Sequence, residues 1–179
     1  MKKKTFFASD LHFSHKNILL YEPQRVTETA KYLCNLNQIP QEDQEEAIKQ
    51  YIENVNRAFE LKQTEYIKDF LHWHNEMLID RWNSVVSNDD IVYFLGDLGF
   101  GNLNDIASYS RRLNGHKCII LGNHDKRKHT GDGAIVYNEN VELEYKDCGF
   151  ERVEFNPIIL KSYFFLCHEP RSYWPKNIP

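Results

Sequence analysis

Four short apolar runs in this chain each break into side chains able to hold a metal, and that repeated pattern constrains the fold more than any other feature. Thr5-Phe6-Phe7-Ala8-Ser9 leads into Asp10-Leu11-His12, and Ile91-Val92-Tyr93-Phe94-Leu95 into Gly96-Asp97. Cys118-Ile119-Ile120-Leu121 leads into Gly122-Asn123-His124-Asp125, and Tyr163-Phe164-Phe165-Leu166-Cys167 into His168. Continuous apolar runs of this length suit strands buried in an α/β sheet, whose rim, where the strands end, is where ligands bind. Asp97, closing the central run, is the candidate centre of the site. Each signal is weak alone: a histidine after a strand is commonly a core residue, and Gly-Asn-His-Asp is also an ordinary turn. Together they present carboxylate, amide and imidazole donors in a set suited to divalent transition metals.

The rest of the chain supplies a scaffold for such a rim. With 179 residues, 41% hydrophobic and 27% charged, it predicts one globular domain with a sizeable core. Lys2-Lys3-Lys4 precedes no apolar segment of secretory or membrane-spanning length, because Asp10 and His12 interrupt the run at once. The four cysteines are widely spaced, which predicts reduced thiols, a cytoplasmic location and no membrane association. A formal charge of -4 argues against charge-driven coating of nucleic acid. Lys126-Arg127-Lys128 could still set cations beside a bound phosphate or form a solvated loop.

Residues 21–75 contain no glycine and read as helical. Ile48, Tyr51, Ile52, Val55 and Phe59 share one helix face, as do Ile67, Phe70, Leu71, His74 and Met77. At least two amphipathic helices follow, or one long bent helix. His72 and His74, two apart on a helix, point in different directions and predict one exposed and one packed histidine. Ser14 is expected to cap a short helix, 104–113 to form a crossover helix and 135–148 another. Strands are expected over 151–155, 158–161 and 163–168. Alternating strands and helices make the fold α/β.

Asp10-x-His12, Gly96-Asp97, Gly122-Asn123-His124-Asp125 and His168 stand in the order of the calcineurin-like metallophosphoesterase superfamily. The chain resembles its compact bacterial and phage-type members through Ser9-Asp10-Leu11-His12-Phe13-Ser14-His15-Lys16-Asn17-Ile18, Arg81-Trp82-Asn83-Ser84-Val85-Val86 and Leu113-Asn114-Gly115. The resemblance implies a four-layer sandwich of two mixed β-sheets flanked by helices, with 21–75 as a helical insertion serving as a cap, an oligomer contact or a packing elaboration.

It also implies hydrolysis of a phosphate ester, with nucleotides and nucleic acid among the candidate substrates, by a hydroxide held between two metal ions drawn from Mn, Fe, Zn or Co. Asp10 and His12 would hold one ion and Asn123 and His168 the other, with Asp97 bridging. His124 would protonate the leaving oxygen, and Asp125 would orient it or close the turn. Lys126 and Arg127 would contact substrate. The family's late Gly-His-x-His motif does not occur before Pro179, so by resemblance the domain reads as C-terminally truncated, each metal one histidine short. The alternative is a weak or inactive binding protein on the same fold.

Overall fold

A computed structural model of the chain describes residues 2–122, 124–125, 127–129, 135–137, 139–161 and 164–168, with only the backbone of 127–129 and 135–137 described. In chain order the elements are β1 (Thr5–Ala8), α1 (Ile18–Tyr21), α2 (Pro23–Leu36), α3 (Gln44–Glu60), α4 (Thr64–Val85), β2 (Ile91–Phe94) and α5 (Leu103–Ser110). They continue with β3 (His116–Ile120), β4 (Arg127–His129), β5 (Ile135–Tyr137), α6 (Val141–Asp147), β6 (Arg152–Glu154), β7 (Ile158–Leu160) and β8 (Phe164–Leu166). The described chain divides into two compact units, one drawn from Met1–Phe13 with Trp82–Pro179 and the other from Ser14–Arg81.

The first unit is α/β. Its sheet runs β1-β2-β3-β6 with every pair parallel. The register sets Ala8, Phe94, Ile119 and Val153 in one row, so β1, β2 and β3 end almost level and their following residues emerge at one rim. Val92, Phe94, Ile119 and Ile120 are buried in this sheet beside Phe13, Leu98, Ile106, Val141, Tyr145 and Phe150. Phe94 meets Trp82 and Phe150 at ring separations of 6.4 and 5.9 Å, within the range of favourable tilted aromatic pairs. Two hairpins complete the described strands, β4 with β5 and β7 with β8.

Two of the motifs that carry the resemblance are structural here. Trp82 Nε1 donates to the Asn114 carbonyl and Asn83 Nδ2 to that of Arg112, while Asn114 N donates to Asn83 Oδ1 and Asn114 Nδ2 to the Val86 carbonyl. These bonds latch the end of α4 to the turn before β3, and Gly115 takes the positive φ of 96° that this turn requires.

The second unit is helical and contains the residues 21–75 singled out in the sequence. Its core gathers Ile18, Leu19, Val26, Leu33, Val55, Phe70 and Leu71. Three long helices form where at least two were expected, because a break at Leu61-Lys62-Gln63 separates α3 from α4 without glycine or proline. Lys62 takes the left-handed turn itself, at φ 54°. His72 is exposed and His74 fully buried, as their spacing predicts.

Several local expectations need correction. Ser14 caps no helix: it sits at φ 60°, and α1 begins at Ile18 with Asn17 at its N-cap position. The helix expected over 135–148 is shorter, because β-branched and aromatic Ile135-Val136-Tyr137 pairs as a strand and α6 starts only at Val141. Arg127–His129, expected within a loop, is that strand's partner. The four cysteines are free. Among the described residues no helix is long and apolar enough to cross a membrane.

Candidate metal centre

Backbone geometry sets the rim apart. Asp10, His12 and Asp97 adopt φ values of 58°, 53° and 59°, in the left-handed region that costs a non-glycine residue about 1–2 kcal/mol. Such positions persist where the surroundings over-determine them, as they do at binding sites. Here the ends of β1 and β2 are stitched together: Asp10 N donates to the Gly96 carbonyl, His12 N to that of Asp97 and Phe13 N to that of Leu98, at 3.0, 3.1 and 2.9 Å.

The strained residues converge. Oδ2 of Asp97 lies 3.8 Å from His12 Nε2, and Oδ1 lies 3.5 Å from His168 Nε2. His12 Nε2 is also 3.5 Å from Asp10 Oδ1. All three separations exceed a good N–H···O bond of about 2.7–3.2 Å. They match neighbouring ligands around one ion, which at metal–ligand distances of about 2.0–2.2 Å sit roughly 3–4 Å apart. Asp10, Asp97 and His168 bring one ligand atom each within 4.8 Å of one another. The donor set therefore fits a divalent transition metal.

Two further contacts aim the donors. His168 Nδ1 lies 2.5 Å from the Leu95 carbonyl, which can only accept, so Nδ1 carries the proton and Nε2 keeps its lone pair toward Asp97. His124 N donates to Asp97 Oδ1 at 3.0 Å and fixes the carboxylate plane.

Asp125 is built into the turn after β3. It is 1% exposed. Its Oδ2 accepts from the backbone N–H of Asp97 and Gly122, at 2.7 and 2.6 Å. Its Oδ1 accepts from Leu98 N and from the Tyr145 hydroxyl, at 3.1 and 2.9 Å. Four donors fill the carboxylate's acceptor sites, so Asp125 is a positioning residue that ties the β2 and β3 rims together.

Glycine is required where those rims meet. A Cβ on Gly122 would collide with Asp97 Oδ1 and stand 3.0 Å from His168 Cε1, and one on Gly96 would lie 2.5 Å from Gly122 Cα. His124 is exposed, its ring 6.0 Å from that of His12 and 5.9 Å from that of Phe100, which meets it edge-on. Phe100 itself is 48% exposed beside it.

The structure thus brings together Asp10, His12, Asp97, His124, Asp125 and His168. Asn123 and Lys126 lie outside the described residues, as does the side chain of Arg127. Sequence reasoning missed Tyr145 and the Leu95 carbonyl, and read Phe100 only as part of the Gly99-Phe100-Gly101 loop that follows Asp97 at the site. Tyr145 alone left a trace, as the buried partner of Val141 one helical turn away on α6.

No protein-family model matches the chain. It is 31% identical over 126 residues to the uncharacterized protein MJ1445 of Methanocaldococcus jannaschii, an alignment covering 69% of this chain and 48% of that one. It is 38% identical over 63 residues to the Gene 66 protein of Mycobacterium phage L5, covering 33% of this chain and 30% of that one. The chain therefore spans about half the length of the first relative, 48%, and 30% of the second. A crystal structure of a protein of unknown function, AQ665 from Aquifex aeolicus, is similar at a TM-score of 0.44 and 18% identity, over 89% of this chain and 56% of that chain.

Proposed function

We propose that the chain is a metal-dependent phosphoesterase of the calcineurin-like type, with Asp10, His12, Asp97 and His168 as its metal ligands. The observation that carries this reading is Asp97, buried and held at positive φ with one oxygen facing His12 and the other His168. A carboxylate so placed can serve two ions, and Asn123 would join His168 on the second. The fold on this reading is the four-layer sandwich, with the β7–β8 hairpin opening its second sheet.

A divalent pair supplies two things when bound: charge against the phosphoryl oxygens and water acidified toward neutral pH. The chain's own groups do the rest. Asp97 and His168 are held rigid by His124 N and the Leu95 carbonyl, so ligand geometry need not reorganise during turnover. Asp125 holds the turn that carries His124. The exposed imidazole of His124, beside the ligands and not among them, donates a proton to the departing oxygen. Phe100, packed against that ring, limits its rotation and offers an apolar face to the leaving group.

The test is elemental analysis after loading with manganese, iron, zinc or cobalt, followed by hydrolysis of nitrophenyl mono- and diesters. Metal-dependent turnover that Asp97→Asn abolishes together with metal binding is the expected result. A protein that binds no divalent ion would overturn the metal centre. One that binds metal and cleaves neither ester would instead be a binding protein on this fold.

A further inference from the structure

We infer that the helical unit carries a binding site for a nucleoside phosphate, in a cleft of about 500 Å³ lined by Phe59, Ile67 and Leu71 and by Lys16, Lys62 and Lys68. This site is contained within Ser14–Arg81 and takes nothing from the hydrolytic reading. Its volume falls in the range of small-molecule clefts, roughly 300–1,000 Å³.

Charge points to the ligand class. The whole chain has a formal charge of -4, yet the cleft lining includes three lysines and no acidic residue. Lys16 and Lys62 enter no ion pair among the described residues. Lys68 meets Glu65 at 3.0 Å, but both side chains are largely exposed, and such a screened pair yields readily to a dianion. Lys62 holds its place at φ 54°, a left-handed position just past a helix end where glycine is usual.

The floor points to the rest of the molecule. Ile67 and Leu71 are buried, and Phe59 is partly buried against the same core, leaving aromatic surface for a flat ring. Hydrophilic groups share the lining with them: Asn17, whose side chain makes no capping hydrogen bond, and the Thr64 hydroxyl. A base on the floor, a sugar at Asn17 and Thr64 and a phosphate among the lysines meets each group with its complement. Stacking on an aromatic within a cationic groove is how nucleotide units are held without sequence preference. The ligand is either a free nucleotide or one unit of a single strand.

The test is calorimetry on the full chain in excess chelator, which silences the metal centre, with adenosine monophosphate, adenosine, inorganic phosphate and a short single-stranded oligonucleotide. Adenosine monophosphate should bind saturably, and adenosine and inorganic phosphate each more weakly. Lys16→Glu with Lys62→Glu should weaken the nucleotide about tenfold or more, and rising salt should weaken it in the parent chain. Circular dichroism should stay unchanged, because both lysines are exposed. An oligonucleotide binding more tightly than the mononucleotide assigns the site to nucleic acid, and equal or weaker binding assigns it to free nucleotides. No saturable binding of either, binding indifferent to the charge reversals, or phosphate binding as well as the nucleotide would overturn the inference.

Discussion

At the residue scale, His124 is where the phosphoesterase reading separates chemistry from ligation. Its ring is exposed beside the donors, and its backbone N–H, which a substitution leaves in place, fixes Asp97. On the phosphoesterase reading, His124→Ala should lower kcat by roughly a hundred- to ten-thousandfold while metal content stays near that of the parent. The loss should shrink for nitrophenolate, which leaves without a proton. Steady-state kinetics on good and poor leaving groups, with elemental analysis of the same samples, checks both halves. A variant stripped of metal would make His124 a ligand. Asp125 is its counterpart on that reading, a buried carboxylate that accepts four hydrogen bonds from the two rims and α6.

At the scale of elements, the site is a property of strand ends. Parallel register leaves β1, β2 and β3 finishing in one row, and the chain then turns through left-handed positions that bend Asp10, His12 and Asp97 back toward one another. That arrangement needs the rims to approach more closely than any side chain permits at Gly122. Gly122→Ala should therefore displace Asp97 and His168 and weaken metal affinity at least tenfold, the size expected when the groups orienting ligands are lost. Calorimetric titration with manganese measures it, and affinity equal to the parent's would show that the rims can part without loss. Gly122 was legible in the sequence only as a turn residue, since the sequence shows that a glycine precedes Asn123 but not what its missing Cβ leaves room for.

At the scale of the whole molecule, the two units answer to different physics, and the helical one carries a built-in acid sensitivity. His74 is fully buried in it. Burial first, then the nearby Arg25 and Arg81 guanidinium groups, pushes its pKa down to about 3. Arg25 Nη1 donates to Nε2 at 3.4 Å, so Nδ1 carries the proton and donates to Thr29 Oγ1 at 3.1 Å, the hydrogen-bond pattern of a neutral ring. The unfolded chain takes up a proton near pH 6.5 and the folded unit does not until far lower, so stability is fully present above about 6.5 and falls as the pH drops toward 3. Linkage sets the loss at about 2 kcal/mol between pH 7.5 and 5. Denaturant melts in chelator should show that loss in the parent and a flatter profile in His74→Gln.

The sequence by itself determined the α/β class, the helical stretch 21–75, the contrast between His72 and His74 and the residue types gathered at the rim. Those properties follow from periodicity, which local chain geometry imposes on any sequence that buries an apolar face. Tertiary structure alone decided the distances at which Asp97 faces His12 and His168, that Tyr145 reaches Asp125, and that Asp10, His12 and Asp97 are held in left-handed backbone. These depend on register and on contacts between residues far apart in the chain, from Leu95 to His168 and from Asp97 to Asp125, which local periodicity does not encode.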